Sequence, residues 1–168
     1  DEWGRNVQPV GKRGAFGILF RAARWRASLP DAIKNEQQES PMRREINPET
    51  FPKPQSNYSQ GVVHGPIKER LVISGQVGVR PDGSVADGLE AQVAQTWETF
   101  LAVLGSAGFQ TAAVGKVTVY VTEPALQEFR RGREAALADY APATTYVEVA
   151  GLADPRFLVE IEGEAVKS

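Results

Sequence analysis

Between positions 89 and 104 the apolar residues Leu89, Val93, Trp97, Phe100, Leu101 and Leu104 recur at spacings of four, four, three, one and three. That period draws one apolar stripe along an α-helix, with Glu90, Gln92, Gln95 and Glu98 on the remaining positions. A helix with a single stripe has to lay it on a partner surface. Gly105 and Gly108 supply its stop signals. The period then switches to two. Over 114–122, Val117, Val119 and Val121 alternate with Thr118, Tyr120 and Thr122, the pattern of a half-buried strand. A one-faced helix followed by a one-faced strand points to a sheet with helices packed on it.

The rest of the chain fits that plan. Pro48, Pro52 and Pro54 make an extended, non-helical lead-in. Residues 60–64 and 70–76 read as two strands rich in Val and Ile, with a turn at Gly65-Pro66 between them. Pro81-Asp82-Gly83 is a further turn. Pro124 opens a second helix that runs to about Tyr140 and carries Leu126, Phe129, Arg133, Ala136 and Leu137. Residues 144–150 and 157–166 read as the last two strands. The predicted order is β-β-α-β-α-β-β, an α+β architecture with two helices on one face of a sheet. Leu71-Val72-Ile73, and Phe157-Leu158-Val159 beside Ile161, are apolar on both sides. The face without helices therefore needs a cover, and a homo-oligomer is the simplest one.

A chain of 168 residues has room for one domain with a proper core. That domain is expected over 42–168. Residues 1–41 have another texture: Trp3, Trp25 and the basic Lys12, Arg13, Arg21, Arg24 and Arg26, with no acidic residue between Glu2 and Asp31. They read as a disordered or non-native extension outside the fold; a targeting presequence and a basic partner-binding arm are the other readings.

The net charge of -2 gives no global reason to bind nucleic acid or an anionic membrane, and no apolar run reaches membrane-spanning length. There is no cysteine, which excludes disulfides, thiolate metal sites and cysteine nucleophiles. His64 is the only histidine, so a histidine-rich metal site is excluded and a Ser-His-Asp triad would rest on this one ring. Its place beside Gly65-Pro66 suggests a surface histidine at a hairpin. Gly115-Lys116 lacks the upstream glycine of a phosphate loop, since Gln110 stands there.

Four segments carry a family resemblance: Asn57-Tyr58-Ser59-Gln60-Gly61-Val62, Ser74-Gly75-Gln76-Val77, Pro142-Ala143-Thr144-Thr145-Tyr146-Val147-Glu148-Val149 and Val159-Glu160-Ile161-Glu162. Together they resemble the Rid/YjgF family of imine and enamine deaminases, over roughly residues 55–166. The resemblance implies a chorismate-mutase-like subunit, a homotrimer with clefts between subunits, a cytoplasmic location, a small-metabolite ligand and no cofactor or metal. Some members are labelled endoribonucleases, but the core shows no basic stripe with interleaved aromatics.

By the same resemblance Glu160 is the catalytic carboxylate that handles water, and Tyr58, Gly75, Gln76, Thr145 and Tyr146 line the pocket. Thr144 stands where the family carries the arginine that grips a substrate carboxylate. Threonine offers one neutral hydroxyl in place of a bidentate, charged clamp. At about 1.5–3 kcal/mol per charged hydrogen bond, that loss weakens an anionic imino acid by roughly ten- to a thousandfold. The expected substrate is then a reactive imine or enamine other than a simple 2-imino acid, or the protein is a non-catalytic metabolite binder; whether it is an enzyme stays open. Another cation can also take over, with Arg130, Arg131, Arg133 and Arg156 as candidates, although each reads first as a surface charge. Arg133 is kept as a substrate-binding candidate. Glu160 shares strand parity with Glu162 and Glu164, a row that a solvated face would also produce. Tyr58 likewise fits a residue that caps the edge of the core.

Overall fold

The computed structural model describes residues 43–168; the expectations for residues 1–41 lie outside the described residues. Six strands and two long helices follow in the order β1 (Arg43–Ile46), β2 (Gly61–His64), β3 (Glu69–Val77), α1 (Leu89–Ser106), β4 (Val114–Val121), α2 (Leu126–Leu137), β5 (Ala143–Glu148) and β6 (Val159–Lys167). The main sheet has the strand order β3-β6-β4-β5. β6 runs antiparallel to both β3 and β4, whereas β4 and β5 are parallel and joined through α2.

The expected α+β order holds, with one strand more than the sequence suggested. Arg43–Ile46 pairs antiparallel with Gly61–His64 in a separate two-stranded ribbon. The proline-rich lead-in thus hides a strand at its start, because Arg43-Arg44-Glu45-Ile46 has no apolar alternation to reveal it.

The core lies between α1, α2 and the sheet. Val117, Val119 and Val121 of β4 and Val159 and Ile161 of β6 are fully buried under Phe100, Leu104, Phe129 and Leu137. Trp97 stacks on Phe129 at 6.0 Å and meets Phe100 edge-on at 5.4 Å, so one aromatic row ties the two helices together. Gln92, expected on the polar side of α1, is buried instead. Its amide donates to the Arg156 carbonyl and accepts from the Leu158 N–H, both at 2.8 Å, so α1 holds the turn that leads into β6. A buried amide is stable there because backbone groups satisfy both of its ends.

The opposite face of the sheet is more polar than the apolar runs implied. Val72 is 65% exposed on it, but Thr118, Tyr120, Glu160, Glu162 and Glu164 share its parity. Phe157 and Leu158 precede β6 in a turn and do not extend that face. Among the described residues, no helix is long and apolar enough to cross a membrane.

Candidate functional site

Two loops are stitched together to make a small cavity at the β5 edge. The Asn57 side chain donates to the Ala138 carbonyl at 2.8 Å. The Ser59 hydroxyl donates to the Ala141 carbonyl at 2.8 Å, and the Ser59 N–H donates to Pro142 at 3.2 Å. These bonds lay the lead-in across the segment between α2 and β5. The result is a cavity of about 220 Å³ whose lining includes Ser56, Tyr58, Phe129, Arg133, Thr144 and Tyr146, with Leu126 and Arg130 completing it.

Each wall has a local cause. Thr144 and Tyr146 pair with Val117 and Val119, so strand parity turns them to the helix face. The Tyr146 hydroxyl accepts the Ala125 N–H at 2.9 Å, which anchors β5 to the first turn of α2. Its ring lies 6.1 Å from Phe129, and burial pushes its phenol pKa up. The Thr144 hydroxyl donates to the Pro142 carbonyl at 3.1 Å.

Arg133 corrects the sequence reading of a surface charge. It follows Phe129 by four positions and precedes Ala136 by three, so it falls on the apolar stripe of α2 and is 2% exposed. Its guanidinium sits 5.7 Å from the Phe129 ring centre and reaches Ser56 Oγ at 3.4 Å. Burial pushes its pKa down. The other arginine candidates divide. Arg130 lines the cavity. Arg131 is exposed and pairs with Glu128 at 3.1 Å, and Arg156 is exposed and clasps Asp154 at 2.7 Å.

Gly75, Gln76 and Glu160 gather elsewhere. The β3–β6 register shifts between Ile73 and Gln76, which inserts one extra residue at Ser74-Gly75 as a bulge. The Glu160 carboxylate occupies the space where a side chain at Gly75 would project. Of the three carboxylates in that row, Glu164 is clasped by Arg70 at 2.6 and 3.1 Å and Glu162 accepts the Tyr120 hydroxyl at 3.0 Å. Among the described residues Glu160 alone of the three has no hydrogen-bond or ion-pair partner. Gly75 and Gln76 also line a groove of about 440 Å³ with Arg80, Gln95, Glu98 and Thr99. Thr145 faces away from the cavity, on the side of the sheet opposite Thr144, where the Lys116 ammonium donates to its hydroxyl.

The expected site residues therefore divide between the two edges of one sheet. Gly75 and Gln76 are on β3, Glu160 is on the neighbouring β6, and Tyr58, Arg133, Thr144 and Tyr146 gather at β5. Three strand spacings separate the edges, about 14 Å. Sequence reading missed Ser56 and Phe129 as lining residues; the four-residue step from Phe129 to Arg133 was the signal available for the α2 wall.

His64 is another correction. It ends β2 opposite Arg43, and its ring packs where a side chain at Gly115 would stand. Both ring nitrogens are buried without hydrogen-bond partners. Burial first, and Arg43 second, push its pKa down. Among the described residues, no group of His, Asp and Glu side chains is arranged to hold a metal ion.

Residues 49–167 match the family model described as endoribonuclease L-PSP. The chain belongs to the Rid/YjgF family. A RutC family protein of Aquifex aeolicus is 37% identical over 81 residues, which span 48% of this chain and 62% of that protein, short of two thirds of its length. The 2-iminobutanoate/2-iminopropanoate deaminase of Salmonella typhimurium is 34% identical over 134 residues, covering 75% of this chain and 99% of that protein. Among solved structures, the Rid family protein YyfB of Yersinia pestis matches with a TM-score of 0.68 and 31% identity, over 74% of this chain and 98% of that one. Within this Rid-family chain, the cavity at the β5 edge and the bulge at Gly75 are the features a functional reading has to use.

Proposed function

We propose that this protein hydrolyses a reactive imine or enamine, in a cleft that a neighbouring copy of the chain completes. The observation that carries the reading is the Glu160 carboxylate beside the Gly75 bulge, unpaired among the described residues. Imine hydrolysis needs a base that takes a proton from water as its oxygen bonds to the C=N carbon. The nitrogen of the resulting carbinolamine is then protonated, the C–N bond breaks, and ammonia and a carbonyl compound leave. An enamine first takes a proton on carbon and then follows the same course. Glu160 can serve as base towards water and, once protonated, as acid towards nitrogen. The similarity to the Salmonella deaminase supports this reaction class.

The separation of the two groups of residues supports an oligomer. A head-to-tail contact that brings the β3 edge of one copy to the β5 edge of the next would unite them, and such heterologous contacts close into rings. A homotrimer is the ring we propose. Thr144 lacks the charge of the family's arginine and its hydroxyl already serves Pro142, so a carboxylate attached directly to the imine carbon loses its usual partner. The substrate is accordingly an imine or enamine other than a simple 2-imino acid. The same Thr144 favours, as a second reading, a trimer that binds a small metabolite without turning it over.

Ammonia release decides between the two. Imines generated in situ from a panel of amino compounds, with 2-iminobutanoate as reference, are given to wild type and to Glu160→Gln. Acceleration on at least one imine, lost by at least about a hundredfold in Glu160→Gln, is the expected result. An enzyme inert towards the whole panel, or a Glu160→Gln variant as fast as wild type, overturns the hydrolase reading.

A further inference from the structure

We infer that Arg133 makes the cavity at the β5 edge a binding site for the carboxylate of a small organic acid, with the cation supplied from α2 because β5 carries Thr144. The inference rests on the ligand site described above and names the class of group it takes. It does not depend on turnover.

A guanidinium withdrawn from water needs compensation, either a counter-ion or a full set of acceptors. Arg133 is 2% exposed, yet no ion pair to a carboxylate joins it among the described residues. Its Nε has no hydrogen-bond partner. One terminal nitrogen has only the long 3.4 Å contact to Ser56 Oγ. The Phe129 face, 5.7 Å away, stabilises the cation but accepts no hydrogen bond. Glu134, the nearest acidic neighbour along α2, is exposed and raises the Arg133 pKa less than burial lowers it. A buried donor set with so few acceptors is an anion site in search of its anion.

The surroundings fit a carboxylate of modest size. Arg133, Ser56, Tyr58 and Thr144 line one cavity, and Arg130 adds a second positive charge. Its volume of about 220 Å³ is below the range typical of drug-sized ligands, so it suits a small metabolite. Phe129, Leu126 and Tyr146 supply an apolar wall for the carbon chain. Thr144 and Arg133 share the cavity while standing on different elements, β5 and α2. A carboxylate held by Arg133 is therefore held from α2, not from the β5 position the family uses, and this shift changes which acids fit.

Butanoate and its neutral isostere butanamide test the inference on the full chain by NMR titration. In wild type, butanoate is expected to shift the Arg133 Nε–H resonance saturably, with butanamide at least about tenfold weaker. Arg133→Met is expected to weaken butanoate at least about tenfold, and Arg133→Lys to recover part of that loss by keeping the charge without the fork. Equal affinity for butanoate and butanamide in wild type overturns the proposal, as does unchanged butanoate affinity in Arg133→Met. Should Arg133→Met fail to fold, the wild-type comparison decides alone. Butanoate binding that persists in Glu160→Gln, with or without ammonia release, separates this site from the hydrolase reading.

Discussion

Single residues here gain or lose a role through what buries them. Arg133 and His64 both looked like surface polar groups, and both are held against other elements. For His64 this has a consequence in pH. Its folded pKa lies below the ordinary 6.5, so protonation favours the unfolded chain. Its contribution to stability is full above pH 6.5 and is lost as pH falls from there through the depressed folded value. Because His64 is the only histidine, urea midpoints at pH 7.5 and 5.5 isolate the effect. Wild type should lose stability over that interval and His64→Leu should lose less; equal losses would refute the assignment. The same residue shows where sequence reading stops. A histidine beside Gly-Pro is an ordinary hairpin residue until the fold brings Gly115 beneath it.

At the level of elements, periodicity was a good guide to existence and a poorer one to role. The stripe from Leu89 to Leu104 and the alternation of Val117, Val119 and Val121 became α1 and β4 with their expected buried faces. Gln92 did not follow the pattern, because its amide is satisfied by two backbone groups ahead of β6. Replacing it by leucine would keep the volume but leave the Leu158 N–H and the Arg156 carbonyl unpaired. Gln92→Leu is expected to cost about 1–3 kcal/mol in chemical denaturation, and a variant as stable as wild type would remove Gln92 as the latch between α1 and β6. The strand at Arg43–Ile46 escaped notice for a related reason: its pairing with β2 is made by backbone, and its side chains carry no period.

For the whole molecule, the strand order β3-β6-β4-β5 sets the functional question. It puts the Gly75 bulge and the Arg133 cavity at opposite edges, so one copy does not hold a complete cleft under the proposed reading. Subunit mixing tests this. With a substrate on which Arg133→Met alone shows no measurable turnover, Glu160→Gln chains refolded with an equal amount of Arg133→Met chains should regain about a quarter of wild-type activity, since one random junction in four pairs an intact Glu160 with an intact Arg133. No recovery in verified mixed oligomers would mean that each site lies within a single chain.

The sequence by itself determined the α+β order, the family, and the fact that Thr144 cannot clamp a carboxylate as arginine does, because these depend on local period and on side-chain chemistry. Only the tertiary structure decided which side chains share a space. It turned Thr144 and Thr145 to opposite faces through strand parity, left Glu160 unpaired among the described residues while Glu162 and Glu164 found partners, and brought Arg133 to the cavity beside Thr144. Those outcomes depend on sheet register and on loops joined across some eighty residues of chain, from Asn57 to Ala138 and from Ser59 to Ala141. No pattern within a strand or a helix encodes such distances.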